Sequence, residues 1–420
     1  MVFRILEKLK SRAIKGEGFI GINRSLISAI DSFIRRPKCV TEFSPHIRDA
    51  LDLKRFMFIV VVALFPATIF GIWNTGRSSY LSIGCVNFTF LQAFIEGSIH
   101  VIPLIIISYM VGGFCEAIFA QIRGHEIAEG FLVTGLLYPL ICPPTIPWWM
   151  FASGIIFGVV IGKEVFGGTG QNILNPALTS RAFLFFAYPA FMSGDVWIVK
   201  PITRLVNGSF APSSWTTISI DRVNNFINGN VSSIDGFSGA TALLIAEENL
   251  AGVDSLLNLH NTYSILDMFI GIIPGSIGET SVLMCLIGAF ILIITGIASW
   301  RIMLGVIIGA FLSVMLFNFS FTDGSPSAFL ISPLEHFLMG GFAFGAVFMA
   351  TDPVSAPVHN YSKLLYGFFI GILCILIRLI NPAFPEGMML SILFMNIFSP
   401  LIDHYVIKAA CKRRLSCAKY

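Results

Sequence analysis

Apolar residues run on in this chain, again and again, for stretches close to the ~20 residues that an α-helix needs to cross a bilayer. That recurrence leaves little choice of architecture. No soluble domain of 420 residues needs 55% hydrophobic and only 12% charged residues. The chain reads as an all-α integral membrane protein. Ten segments carry the spans: 56–74, 99–121, 129–142, 149–166, 179–194, 281–299, 301–319, 334–350, 363–380 and 387–407. The third and fifth are short.

Charge orients the segments. Of 27 Lys and Arg, 12 fall in residues 1–55 and five in 408–420, leaving ten for everything between. Basic ends stay on the cytoplasmic side, so both termini are expected there, at a bacterial inner membrane. Arg123, Lys163, Arg181, Arg301 and Lys363 then fall at inner ends of spans, and the long polar loop falls outside. The expected organisation is a cytoplasmic extension (1–55), a first five-helix repeat (56–194), an outer loop (195–265), a second five-helix repeat (266–407) and a basic tail (408–420). Neither basic end interleaves aromatics or carries a binding motif, so nucleic acid is not an expected partner. The eight cysteines show no zinc or iron–sulfur spacing, and the seven histidines no paired haem arrangement.

An internal repeat sits under the ten segments. The third ends in Tyr138-Pro139-Leu140-Ile141-Cys142-Pro143-Pro144, the eighth in Phe348-Met349-Ala350-Thr351-Asp352-Pro353. The fourth is followed by Asn175-Pro176-Ala177, the ninth by Asn381-Pro382-Ala383. Five spans per half is an odd number, so the halves must insert upside-down relative to each other. Inverted repeats with short, proline-broken helices set a binding site at their interface.

Four constellations can carry chemistry. In the outer loop, Asp235-Gly236-Phe237-Ser238-Gly239-Ala240-Thr241 offers a hydroxyl in a turn without bulk. Ser238, Gly239 and Ala240 let a planar group lie on the backbone. Thr241 suits covalent attachment of a phosphate-bearing cofactor, and Asp235 suits a metal or an incoming diphosphate; a solvated turn reads equally from composition. In the inner loop, Gly167, Gly168 and Gly170 precede Asn172 and Asn175, whose amides both donate and accept. They suit the carbonyl and N–H edge of an isoalloxazine or a quinone, or simply an interhelical turn. Gly112 and Gly113 allow close approach to the second span, and Glu116 is costly there unless it faces a cavity or a partner. Asp352 and Asp403 offer hard-cation oxygens near inner span ends, or plain interface carboxylates. Glu279 lies in a glycine-rich stretch on the outer side.

The string at 235–241 resembles a flavinylation motif. Gly162-Lys163-Glu164-Val165-Phe166-Gly167-Gly168-Thr169-Gly170-Gln171-Asn172-Ile173-Leu174-Asn175-Pro176-Ala177-Leu178, Arg181 to Pro189, Gly275 to Ser281 and the terminal Lys412-Arg413-Arg414 resemble the same family. It is the family of the B subunit of the Na+-translocating NADH:quinone reductase, with the D subunit of the Rnf complex as a relative. The likeness covers the chain from about Phe43 to the tail, and the long N-terminal extension favours the quinone reductase.

That resemblance implies FMN joined to Thr241 by a phosphoester, placed by a flavin transferase of the outer compartment. The side matches the one the charges assign. It implies riboflavin at Asn172 and Asn175, a quinone site at Gly112, Gly113 and Glu116, and Na+ passing Asp352 and Asp403. Its partners would be an NADH-oxidising iron–sulfur flavoprotein, a second FMN subunit and small membrane subunits. The chain itself lacks a nucleotide-binding domain, so it would be a subunit of an enzyme and not an enzyme alone. A secondary transporter for a small solute would share the repeat without the flavin, and an Rnf-type subunit would use ferredoxin.

Overall fold

The computed structural model describes residues 53–82, 87–123, 130–193, 196–199, 203–206, 209–212, 241–247, 262–320, 331–380 and 386–417. The N-terminal extension, Asp235, Ser238, Gly239, Ala240 and the second Asn-Pro-Ala string lie outside the described residues.

A helix occupies each of the ten apolar segments. In the first half these are α1 (Leu53–Ser82), α2 (Phe90–Arg123), α3 (Phe131–Leu140), α4 (Trp148–Val159) and α5 (Pro176–Ala187). Two short helices follow the outer loop, α6 (Ala242–Glu247) and α7 (Ile265–Ile270). The second half holds α8 (Val282–Ile294), α9 (Trp300–Ser320), α10 (Pro333–Leu338), α11 (Phe342–Phe344), α12 (Asn360–Ile380) and α13 (Met388–Cys417). Five of them (α1, α2, α9, α12 and α13) are long and apolar enough to cross a membrane, and α3 and α8 are shorter apolar helices.

Local chemistry sets the ends. Thr89 and Gln92 close a capping box on α2, Ser332 and Glu335 one on α10, and Pro333 occupies the first turn of α10. Asn175 caps α5 by accepting the Ala177 amide at 3.0 Å, with Pro176 next in line. The eighth segment, read as one span, is broken in two by Gly340, whose φ of 65° ends α10. Among the described residues, three wide turns interrupt α-helical winding: Ser108–Gly112 in α2, Val160–Glu164 at the end of α4, and Gly345–Met349 after α11. Helix α5 stops at Ala187, earlier than the apolar run suggests, where Pro189 starts a single 3₁₀ turn.

Among the described residues, the structure departs from an all-helical chain at one place. Thr203–Val206 and Ser209–Pro212 pair as antiparallel strands β1 and β2 inside the outer loop. The Asn207-Gly208 dipeptide between them is a hairpin signal that composition hides in a polar stretch.

Part of the packing recurs in the two halves. Helix α1 packs on α3 and α4 on α5; α8 packs on α11 and α12 on α13. The halves meet where α1 touches α8 and α5 touches α13. The pair α9 with α12 packs closely, opposing Gly305 and Gly309 to Gly367 and Gly371. A Cβ at Gly305 would lie 2.6 Å from the Leu364 carbonyl, so only glycine admits this approach. One continuous apolar core, with Tyr138, Phe151, Phe344 and Tyr366 fully enclosed, joins the two halves.

Candidate functional site: two cavities with charged walls

Thr241, just before α6, borders a partly open cavity of about 740 Å³. Phe185, Trp197 and Ile273 form apolar walls, while Arg181, Ser276, Glu279 and Glu386 form a polar one. Arg181, expected at an inner span end, instead reaches this wall from within α5. It is buried, donates to Glu279 Oε1 at 2.9 Å and to Ser276 Oγ at 3.4 Å, and pairs with the Glu386 carboxylate. A buried guanidinium is tolerated when carboxylates and hydrogen bonds take up its donors.

The segments bearing those carboxylates are tied down in turn. The Gly278 amide donates to the Leu140 carbonyl at 2.7 Å, fixing the loop of Glu279 to the end of α3. Arg378 of α12 donates to the carbonyls of His336 at 2.6 Å, Met339 at 3.0 Å and Glu386 at 3.2 Å. Arg378 is not among the residues expected from sequence. The signal was there, a cation inside the apolar run of α12, because such a residue is retained only with partners. Glu279, expected near the Thr241 site only by its outer position, does line that cavity.

The second cavity, about 720 Å³, brings Asn172, Asn175, Thr169, Lys163 and Asp352 together between α1, α3 and the turns after α4 and α11. Asn172 is buried and donates from Nδ2 to the Leu174 carbonyl at 3.0 Å. Asn175 combines the two roles read from sequence, since the residue that caps α5 also lines the cavity. The loop reaches this place through Gly167, Gly168 and Gly170, whose φ of 124°, 95° and 92° suit glycine. Asp352 accepts the Ser355 hydroxyl at 2.8 Å. Its turn lies beyond the helical spans, and there burial pushes its carboxyl above the usual carboxylate range, against the hydrogen bonds from Ser355 and the Val354 amide.

Glu116 joins this cavity indirectly. It is buried, and its Oε1 is the ion-pair partner of Lys163, which lines the cavity. The Glu116 Oε2 atom is buried with no hydrogen-bond partner. Gly112 lies in the wide turn of α2, and a Cβ there would run into the Phe131 ring. Gly113 is less crowded, with Phe131 at 3.6 Å from a Cβ. Lys163 stands 6.0 Å from the centroid of the same ring. Behind this pair, Arg123 binds Glu164 at 3.3 Å.

Asp403 is elsewhere. Its carboxylate accepts the amides of Val358 at 2.8 Å and His359 at 3.2 Å, clamping α13 to the chain just before α12. It does not line the cavity that holds Asp352.

Both cavities fit the group expected in them from sequence. Each wall is apolar with a few polar atoms, and each carries a buried hydroxyl without a partner, Thr280 Oγ1 in the first and Thr169 Oγ1 in the second. An unsatisfied buried hydroxyl costs free energy that a polar ring edge would recover.

Residues 40–412 match the NQR2, RnfD, RnfE family. The chain is 45% identical over 412 residues to a protein of Chromohalobacter salexigens named as the B subunit of the Na(+)-translocating NADH-quinone reductase, covering 93% of this chain and 90% of that one. It is 44% identical over 439 residues to the protein of that name in Azotobacter vinelandii, covering 99% of each.

Proposed function

The chain belongs to the NQR2, RnfD, RnfE family, and from that premise we propose that it is the membrane-embedded B subunit of a Na+-translocating NADH:quinone reductase. It relays electrons from FMN on Thr241, through riboflavin beside Asn172 and Asn175, to quinone. The observation that carries this reading is likeness along essentially the whole chain to proteins bearing that name. The placement of Thr241 and of the Asn172–Asn175 pair in separate cavities supports it.

Bound in these cavities, the flavins supply the redox chemistry. The protein's own part is to attach, orient and shield. Thr241 gives the hydroxyl that is esterified. Ser238, Gly239 and Ala240 leave room beside it, and Asp235 orients the incoming group. Arg181, gripped by Glu279 and Glu386, keeps that wall fixed. Asn172, Asn175 and Thr169 offer polar atoms to the second ring. Gly112, Gly113 and Glu116 border the quinone, and Asp352 and Asp403 serve the Na+ path. The recurring pairings (α1 on α3 and α4 on α5; α8 on α11 and α12 on α13) support two related halves, which we read as inverted five-span repeats. NADH oxidation belongs to partner subunits, and both termini face the cytoplasm of a bacterial inner membrane.

The test is covalent. Denatured protein from its native host should fluoresce in a gel, and the peptide carrying Thr241 should gain the mass of one FMN; Thr241→Ala should lose both. A colourless chain with a working transferase present, or full activity in Thr241→Ala, overturns the reading in favour of a solute transporter.

A further inference from the structure

In the sequence, Lys163 serves only to mark the inner end of a span. In the structure it is 3% exposed, sits in the wide turn Val160–Glu164 and faces the Asn172 cavity. Its one ion pair among the described residues is with Glu116, 47 positions away, from the segment of α2 that follows the other wide turn. Wide turns of this kind mark functional positions because they re-aim side chains at a cost in helical hydrogen bonding. Here two of them, on neighbouring helices, aim a cation and an anion at each other beside a cavity.

The pair is incompletely satisfied. One Glu116 oxygen takes the ammonium, and the other is buried with nothing to bind. An arrangement built for stability alone would fill that second oxygen, because a half-satisfied buried charge pair is a poor stabiliser. The remaining charges nearby are accounted for. Arg123 and Glu164 bind each other, and Asp352 holds the Ser355 hydroxyl on the other side of the cavity. Lys163 is therefore the one cation that both lines the cavity and is held by a single carboxylate among the described residues.

We propose that Lys163 is the charge-compensating residue of the Asn172 cavity, stabilising a planar, carbonyl-bearing ring as negative charge arrives on it, and that Glu116 is a positioning residue that holds the ammonium back while the ring is neutral. This rests on the reading that the cavity holds riboflavin. It moves Glu116 from a direct contact of quinone to a residue acting through Lys163. The ammonium is shared between Glu116 and the ring, and the ring's charge decides the share. In a site of low dielectric, one such contact weighs far more than it would in water.

The two residues act with opposite sign, which gives the test. The intact complex, with its partner subunits, is titrated spectroelectrochemically at the riboflavin step. Glu116→Gln releases Lys163 toward the ring and should favour the reduced over the oxidised form about ten-fold, raising the midpoint by about 30 mV for a two-electron couple. The double variant Lys163→Met with Glu116→Gln removes both charges without stranding either, and should lower the midpoint by a similar amount. Lys163→Arg keeps the charge and should return the midpoint most of the way. A purely structural pair would move neither midpoint, or both in one direction, and either result overturns the proposal. If the double variant does not assemble, an unmoved midpoint in Glu116→Gln alone is enough to overturn it. Wild-type complex without any non-covalent riboflavin would instead remove the reading of the cavity itself, which separates the two failures.

Discussion

The Thr241 cavity and the Asn172 cavity are nearly equal in volume, about 740 and 720 Å³, and they handle buried charge in opposite ways. At Thr241 the guanidinium of Arg181 is held by two carboxylates and a hydroxyl, and the segments bearing those carboxylates are anchored in turn by Leu140 and Arg378. At Asn172 the ammonium of Lys163 has one carboxylate, whose second oxygen is idle. A cation held by several partners makes a wall. A cation with one partner can be drawn elsewhere. The first suits a group that is fastened to the chain, the second a group held only by what the cavity offers.

The contrast can be broken most forcefully at Arg181. Arg181→Met strands the buried Glu279 carboxylate and the half-buried Glu386 and should cost about 3–5 kcal/mol, read as a lowered unfolding midpoint in detergent and a smaller yield of folded protein. Arg181→Lys should recover only part of it, because an ammonium cannot fork between two acids. Wild-type stability in Arg181→Met would mean the wall is not rigid after all. Next in size is Gly112→Leu, which drives into the Phe131 ring and should cost about 1–3 kcal/mol. Since that ring flanks Lys163, loosely held flavin should be lost while fluorescence fastened at Thr241 persists; parallel loss of both would erase the separation of the cavities.

Asn175 allows a finer cut. Asn175→Ala loses the α5 cap, about 1 kcal/mol, whereas Asn175→Asp keeps an acceptor for the Ala177 amide. Equal stability of Asn175→Asp and wild type, with reduced retention of loosely held flavin, would assign the amide to the ligand and the oxygen to the helix. The smallest effect is expected at Asp403. Asp403→Asn keeps an oxygen for only one of the two amides, Val358 or His359, and should cost about 0.5–1 kcal/mol. A large shift in the Na+ concentration for half-maximal turnover in that variant would show work beyond the clamp.

Much of this architecture was readable from the sequence. Apolar runs located a helix at each expected place, and proline pairs such as Pro143-Pro144 marked where α3 had to stop. The Asn175-Pro176 start of α5 follows from local chemistry, in which a side-chain acceptor precedes a residue without an amide proton. The pairings that give the cavities their character were not readable. Arg181 meets Glu279 across 98 positions and Glu116 meets Lys163 across 47, and nothing local in either stretch announces the other. The wide turns were equally silent, since Ser108–Gly112 reads as ordinary apolar helix. Resemblance named Asn172, Asn175 and Glu116 without saying that Lys163 stands between them.

The swollen turn in α2 also sets where a count matters. A wide turn holds one residue more than α-helical winding needs, so one letter removed from Ser108–Gly112 can be absorbed by closing the turn, with Glu116 still facing Lys163. Between Gly113 and Glu116 there is no such slack. A helix advances roughly 100° per residue, so a letter removed there would swing Glu116 away from Lys163 and part Arg123 from Glu164. A single-residue deletion should therefore be far more damaging just after the turn than within it.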